Sequence, residues 1–126
     1  MKPDIRAVTN GSPGCSVLAA DRGPREPSGT RRIRGEHFDI EFVRLARGES
    51  VRRNPGAAAG EEVAAVLEGA LRVESGDELF RLSVGEGIII PPGQGSSWSA
   101  PETGGLLYRV VVRSEAAVRI DAAAAP

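Results

Sequence analysis

The sequence predicts an all-β sandwich or barrel, and three observations carry that prediction. From His37 onward, short strand-like runs recur every eight to twelve residues. Glycine and proline punctuate the intervals between them, where tight turns need a positive or a fixed φ. Helix-forming composition is confined to residues 57–67, a stretch crowded by NPG before it and EG after it, so little helix is expected.

The elements follow in order. Residues 1–34 are rich in Pro, Gly and Ser (NGSPG, DRGPREPSG) and read as an N-terminal arm whose one strand-like piece is CSVLAA. HFDIEFVRLA then alternates, with Phe38, Ile40, Phe42 and Arg44 on one face and His37, Asp39, Glu41 and Val43 on the other. RGES turns the chain. VAAVLEG and ALRVES read as two strands, and SGD makes a tight hairpin into ELFRLSV. After a turn at GEG, GIIIPPG is a short apolar strand stopped by two prolines, which cannot donate to a ladder. SSWSA and LLYRVVVRS complete the pattern. The barrel domain is therefore expected over 35–120, and residues 121–126 carry no sheet signal and read as a flexible tail.

At 126 residues the chain can bury a real core but is too short for two domains. Sixteen basic residues stand against seventeen acidic ones. The balance hides an asymmetry, because residues 1–34 hold seven basic groups and three acids. Those charges are scattered among Pro, Gly and Ser without aromatics to stack bases, so nucleic-acid binding is not expected. Cys15 is the single cysteine, which rules out an internal disulfide and suits a reducing compartment. The start, MKPDIRAVTNG, has no apolar run to serve as a signal peptide, and no stretch approaches the roughly 20 apolar residues of a membrane span. A cytoplasmic protein with no membrane association is expected. Lys2 is the only lysine beside fifteen arginines, a bias typical of a GC-rich bacterial genome.

Gly69, the hairpin at SGD and the run GEGIIIPPGQGSSW resemble the two sequence blocks of the cupin superfamily. The second block runs glycine, five residues, proline, one residue, glycine, two residues, histidine. Gly85, Pro91 and Gly93 take those places, and Ser96 stands where the histidine would. The first block runs glycine, five residues, His-x-His, three or four residues, glutamate, six residues, glycine, and Gly48, Glu62 and Gly69 fit it. Counting from Gly48, the histidine positions are Asn54 and Gly56; counting back from Glu62 they are Gly56 and Ala58, or Pro55 and Ala57. No choice yields a histidine. The resemblance covers residues 36–113 and implies a double-stranded β-helix, or jelly-roll barrel. Cupins commonly hold a transition metal with three histidines and the glutamate. This chain retains at most the glutamate, and its one histidine, His37, lies outside both blocks. Three or four converging ligands are thus lacking, and no metal or other cofactor is expected.

The resemblance implies that Glu62 points into the barrel above Ala64 and Val66, unless Glu61 takes that place. A carboxylate there without a cation is costly to keep charged. It either pairs with an arginine, a structural role, or exchanges a proton with a ligand as a general acid or base. Ser96 and Trp98 share the inward face, Ser96 as a hydrogen-bonding group or filler and Trp98 as a ligand wall or core. His37, of the residue type that titrates near neutrality, has Asp39 two positions on, so a His–Asp dyad and a solvated strand face are both open. Arg44 and Arg53 could each enter the cup and clamp a carboxylate, phosphate or enolate, or remain at the surface. Tyr108, opposite in phase to Leu107 and Arg109, is a candidate lining residue with a usable hydroxyl.

These residues lead to two functional expectations. The first is a metal-independent enzyme acting on a small organic molecule, a cyclase, isomerase or dehydratase of bacterial specialised (natural-product) metabolism. Glu62 and His37 would be catalytic, and Arg44, Arg53, Asn54, Ser96, Trp98 and Tyr108 would bind substrate. The alternative is a non-catalytic small-molecule-binding or sensor module with a degenerate metal site. A homodimer is expected in either case, since open edge strands favour pairing.

Overall fold

The structure is a computed structural model that describes residues 5–7, 16–18, 28–56 and 59–113. Cys15, Ala57, Ala58 and the tail expected at 121–126 lie outside these residues. Among the described residues ten strands and no helix form: β1 (Ile5–Ala7), β2 (Ser16–Leu18), β3 (Gly29–Arg34), β4 (Phe38–Leu45), β5 (Ser50–Arg53), β6 (Ala59–Ser75), β7 (Glu78–Ser83), β8 (Gly87–Ile90), β9 (Ser96–Ser99) and β10 (Gly105–Arg113). No helix is long and apolar enough to cross a membrane among these residues.

β1 and β2 pair with each other. The other eight strands form one curled antiparallel sheet in the order β3-β4-β10-β6-β9-β5, with β7 and β8 also paired to β6. The all-β barrel read from the sequence is thus what the chain adopts. Two boundaries differ from expectation. Gly29–Arg34 belongs to the sheet, pairing with β4 from Gly29↔Arg44 to Arg34↔Asp39, so the barrel begins before residue 35. Its alternation, GTRRIR, places arginine on both faces and gives no apolar period to read.

The second difference is β6, where VAAVLEG and ALRVES form one continuous strand of 17 residues. Its first half pairs with β10 and β8, its second with β7 and β9, so it carries the chain from one side of the barrel to the other. The bend is local. Leu106 pairs with Glu68 but Leu107 with Val66, leaving Leu67 as a bulge. Gly69 follows at φ +71°, and a Cβ there would collide with the Gly104 carbonyl. Only glycine fits such a crossing. At the hairpin into β7, Gly76 has φ +61°, the first position at which a type II′ turn requires glycine.

Both faces of the sheet are apolar. Inside the barrel Val43, Leu45, Ala64, Val66, Leu71, Val73, Leu82, Ile90, Trp98, Ala100 and Leu107 form one buried cluster. Outside it, Ile40, Phe42 and Leu106 form a second, covered by Leu18, Ile33, Leu67, Tyr108 and Val110. The lower barrel is therefore filled with hydrocarbon, and any site must lie above it. In β8 only Ile90 is fully buried; Ile89 faces outward and is 64% exposed.

Candidate functional site

Strand register sets the site. On the inner face of β4, Glu41 follows Asp39 and precedes Val43. β10 places Arg109 opposite both Glu41 and Ala64, and Val111 opposite both Asp39 and Glu62. Three neighbouring strands thus bring two carboxylates and one guanidinium together one layer above the apolar floor. Glu62, not Glu61, is the inward member of its pair: Glu62 is 3% exposed and Glu61 lies on the outer face.

The charges form a chain. Arg53 Nε donates to Glu62 Oε1 at 2.9 Å, and Arg109 Nε lies 2.9 Å from Glu62 Oε2. Arg109 Nη1 donates to Glu41 Oε1 at 2.8 Å, and Arg32 Nε donates to Glu41 Oε2 at 2.7 Å. The order is Arg53–Glu62–Arg109–Glu41–Arg32, buried in the middle and reaching solvent at Arg32. The Arg109–Glu62 contact is an ion pair whose N–H is not aligned for a hydrogen bond, and among the described residues Arg109 Nη2 has no hydrogen-bond partner. Arg109 also sits over the Trp98 ring, with Cζ 5.9 Å from the centroid, a cation–π contact at the edge of its range.

Burial pushes the Glu41 carboxyl up, but Arg109 and Arg32 outweigh it and hold Glu41 below the usual carboxylate range. Burial lowers the Arg109 guanidinium from its ordinary value, against the opposing pull of Glu62 and Glu41. A guanidinium nonetheless remains charged at any physiological pH.

Two cavities flank the lattice and share Arg32, Glu41 and Arg53 as a common wall. One, of about 230 Å³, is lined by Asp39, Pro55, Ala59, Val111 and Arg113 beyond that wall. The other, of about 210 Å³, is lined by Thr30, Val43, Val51, Arg52, Asn54 and Arg109. It opens between β3 and β5, two of the edge strands of the sheet. A third cavity, of about 200 Å³, touches Arg52, Asn54 and the turn at Gly76, away from the buried charges.

The residues expected from the sequence divide. Glu62 and Arg53 meet in the lattice, and Asn54 stands on the rim. Glu62 has guanidiniums on both sides, the arginine-paired arrangement of the two that the sequence left open. Trp98 is fully buried in the inner core, and its indole N–H donates to Ser96 Oγ at 3.1 Å, so these two hold each other. Three expected residues are elsewhere. Tyr108 lies on the outer face, its ring 5.1 Å from that of Phe42. Arg44, on the same outer phase, donates to Glu68 at 2.9 Å. His37 is largely exposed with Glu36 beside it at 3.7 Å, and Asp39 pairs instead with Arg113 at 3.2 Å, so no His–Asp dyad forms.

Sequence reasoning missed Arg109, Glu41 and Arg32. The signal was present in LLYRVVVR, where Arg109 shares a phase with Leu107 and Val111. The opposite phase, Leu106, Tyr108 and Val110, is equally apolar because the outer face has its own core. Alternation therefore could not decide which face pointed inward.

A cupin-type metal does not fit these residues. Among the described residues no three His, Cys, Asp or Glu side chains converge. Glu62 is spent on two guanidiniums, Ser96 accepts from Trp98, and a cation placed there would face Arg53 and Arg109.

No protein-family model and no curated protein matches this sequence. Solved structures do resemble it. The cupin domain of Schizosaccharomyces pombe Cnp3 is similar with a TM-score of 0.70 at 14% identity, over 94% of this chain and 90% of that one. The Cupin_2 domain of an XRE-family transcriptional regulator from Enterobacter cloacae is similar with a TM-score of 0.63 at 15% identity, over 71% of this chain and all (100%) of that one. A Cupin_2 conserved barrel domain protein from Salinispora arenicola gives 0.62 at 18% identity, over 85% and 93%. The chain has the cupin fold.

Proposed function

We propose that this chain is a metal-independent cupin that takes up a small organic molecule at the mouth of its barrel, acting in the cytoplasm as a binding or sensing module. One observation carries this reading: an arginine–glutamate lattice surrounds Glu62, the residue that the cupin resemblance assigns to a metal-ligand position, with a cavity on either side of it. Such a lattice can orient a polar ligand, and Glu62 itself is held from both sides by Arg53 and Arg109. The likeness to the cupin domain of a transcriptional regulator supports a sensing role.

A second reading keeps the chemistry of a cyclase, isomerase or dehydratase in bacterial specialised metabolism. It is favoured by Arg53 and Arg109, which flank one spot and could steady the negative charge of an enolate as it develops. Glu62→Gln separates the two: under the binding reading it alters ligand affinity and there is no turnover to lose, whereas under the catalytic reading it abolishes turnover. The primary test is a thermal-shift screen of chelator-treated protein against small polar metabolites. A ligand that binds the folded state must raise Tm by mass action. No stabilising compound in a broad panel, or one whose effect survives replacement of Arg53, would refute the mouth as the site.

The proposal includes pairing of two chains. Phe38, Val63, Ile89 and Val112 are exposed on the outer face, with Val63 opposite Ile89 and Val112 opposite Phe38. Light scattering should give a dimer, and Val63→Asp with Ile89→Asp should give a monomer; a monomeric wild type contradicts it.

A further inference from the structure

We propose that the cavity between β3 and β5 is a binding site for a small organic carboxylate, gripped by Arg52, Arg53 and Arg109. The assignment rests on the barrel mouth being the ligand site and adds the chemical class of ligand.

Charge is the first observation. Arg32, Arg52, Arg53 and Arg109 line this cavity beside Glu41, and Glu62 lies directly behind. Four cations against two carboxylates leave a surplus of two positive charges. Counted in the same way, with Glu62 behind Arg53, the companion cavity has Arg32, Arg53 and Arg113 against Asp39, Glu41 and Glu62, and no surplus. An anion is therefore drawn to the β3–β5 side.

The second observation is the orphaned donor. The Arg109 side chain is only 4% exposed, yet its Nη2 has no hydrogen-bond partner among the described residues. A buried polar group left unpaired costs free energy; Nη2 is closed off from solvent, so an acceptor entering from the adjoining cavity recovers that cost by displacing the side chains that cover it.

The lattice supplies the third. It already bridges pairs of arginines with carboxylates twice, Glu41 between Arg32 and Arg109 and Glu62 between Arg53 and Arg109. The guanidiniums are thus spaced for planar carboxylates, and a ligand between Arg109 Nη2 and Arg52 or Arg53 would make a third bridge. Thr30 and Asn54 at the rim offer a hydroxyl and an amide to the rest of the molecule. The volume of about 210 Å³ lies below the roughly 300–1,000 Å³ of drug-sized sites, so the acid is small.

The test is calorimetric titration of the full chain with sodium succinate, succinamide and inorganic phosphate at matched ionic strength. Succinate should bind saturably, one per chain, succinamide should not bind, and phosphate should bind more weakly. Arg52 is exposed and makes none of the lattice contacts, so Arg52→Gln should keep the wild-type circular dichroism and weaken succinate about tenfold. Thr30→Val, also exposed, is the second variant and should weaken it several-fold. Absence of saturable succinate binding overturns the proposal, as do unchanged affinity in both variants and phosphate binding tighter than succinate. Equal binding of succinamide removes the carboxylate assignment and leaves the mouth as a ligand site. If no compound of any charge binds there, the wider functional reading fails with it.

Discussion

Glu62 shows what one residue can and cannot reveal before its neighbours are known. The spacing to Gly69 and the alternation of β6 were enough to aim it inward over Ala64 and Val66, where it lies. Nothing in the spacing could supply Arg109, which is 47 positions later in sequence and meets Glu62 only through the β6–β10 register. Buried ion pairs add little net stability, but breaking one strands a charge, at about 3–5 kcal/mol. Glu62→Ala should therefore cost about that much in urea unfolding. Glu62→Gln, which retains an acceptor, should cost distinctly less, and equal losses would contradict the pairing. Glu41 sets the acid limit. Its folded pKa is depressed, so its contribution is present above the unfolded carboxylate value near 4.3 and is lost as pH falls through the lower folded value. Stability should be flat from neutrality to about pH 5 and drop below about pH 4, and the drop should shrink in Glu41→Gln.

Among the elements, β6 determines the shape of the barrel. The sequence placed a break at LEGALR and read two strands there; the backbone passes through without one, because a bulge at Leu67 and a positive φ at Gly69 absorb the bend. Turn glycines look alike in sequence, but their surroundings differ. A Cβ at Gly69 meets the Gly104 backbone, whereas one at Gly85, at φ +87°, meets nothing within 4 Å. Gly85→Ala should cost roughly 1 kcal/mol of backbone strain, and Gly69→Ala several times more, read as loss of Tm. Similar losses at both would mean that steric closure at the β6–β10 crossing is unimportant. β3 escaped sequence reasoning for a related reason: GTRRIR has no apolar period, and its place is fixed by pairing with β4 rather than by its own pattern.

At the scale of the whole molecule, architecture was legible because turns and short strands are local, and any barrel of this kind needs them. The site was half legible. The absence of histidine from the cupin positions could be read directly, but not what stands there instead, since Arg32, Glu41, Glu62, Arg53 and Arg109 come from five different strands. The outer apolar layer made the phase of β4 and β10 ambiguous and sent Tyr108 and Arg44 to the wrong side. What unifies the structure is an apolar floor, a layer of paired charges above it, and a mouth between two edge strands. The most direct measurement is metal content by plasma mass spectrometry on protein purified without chelators, followed by Tm before and after chelation. A lattice in place of the metal predicts substoichiometric metal and an unchanged Tm; one equivalent of a transition metal per chain, with a Tm that falls on its removal, would contradict it.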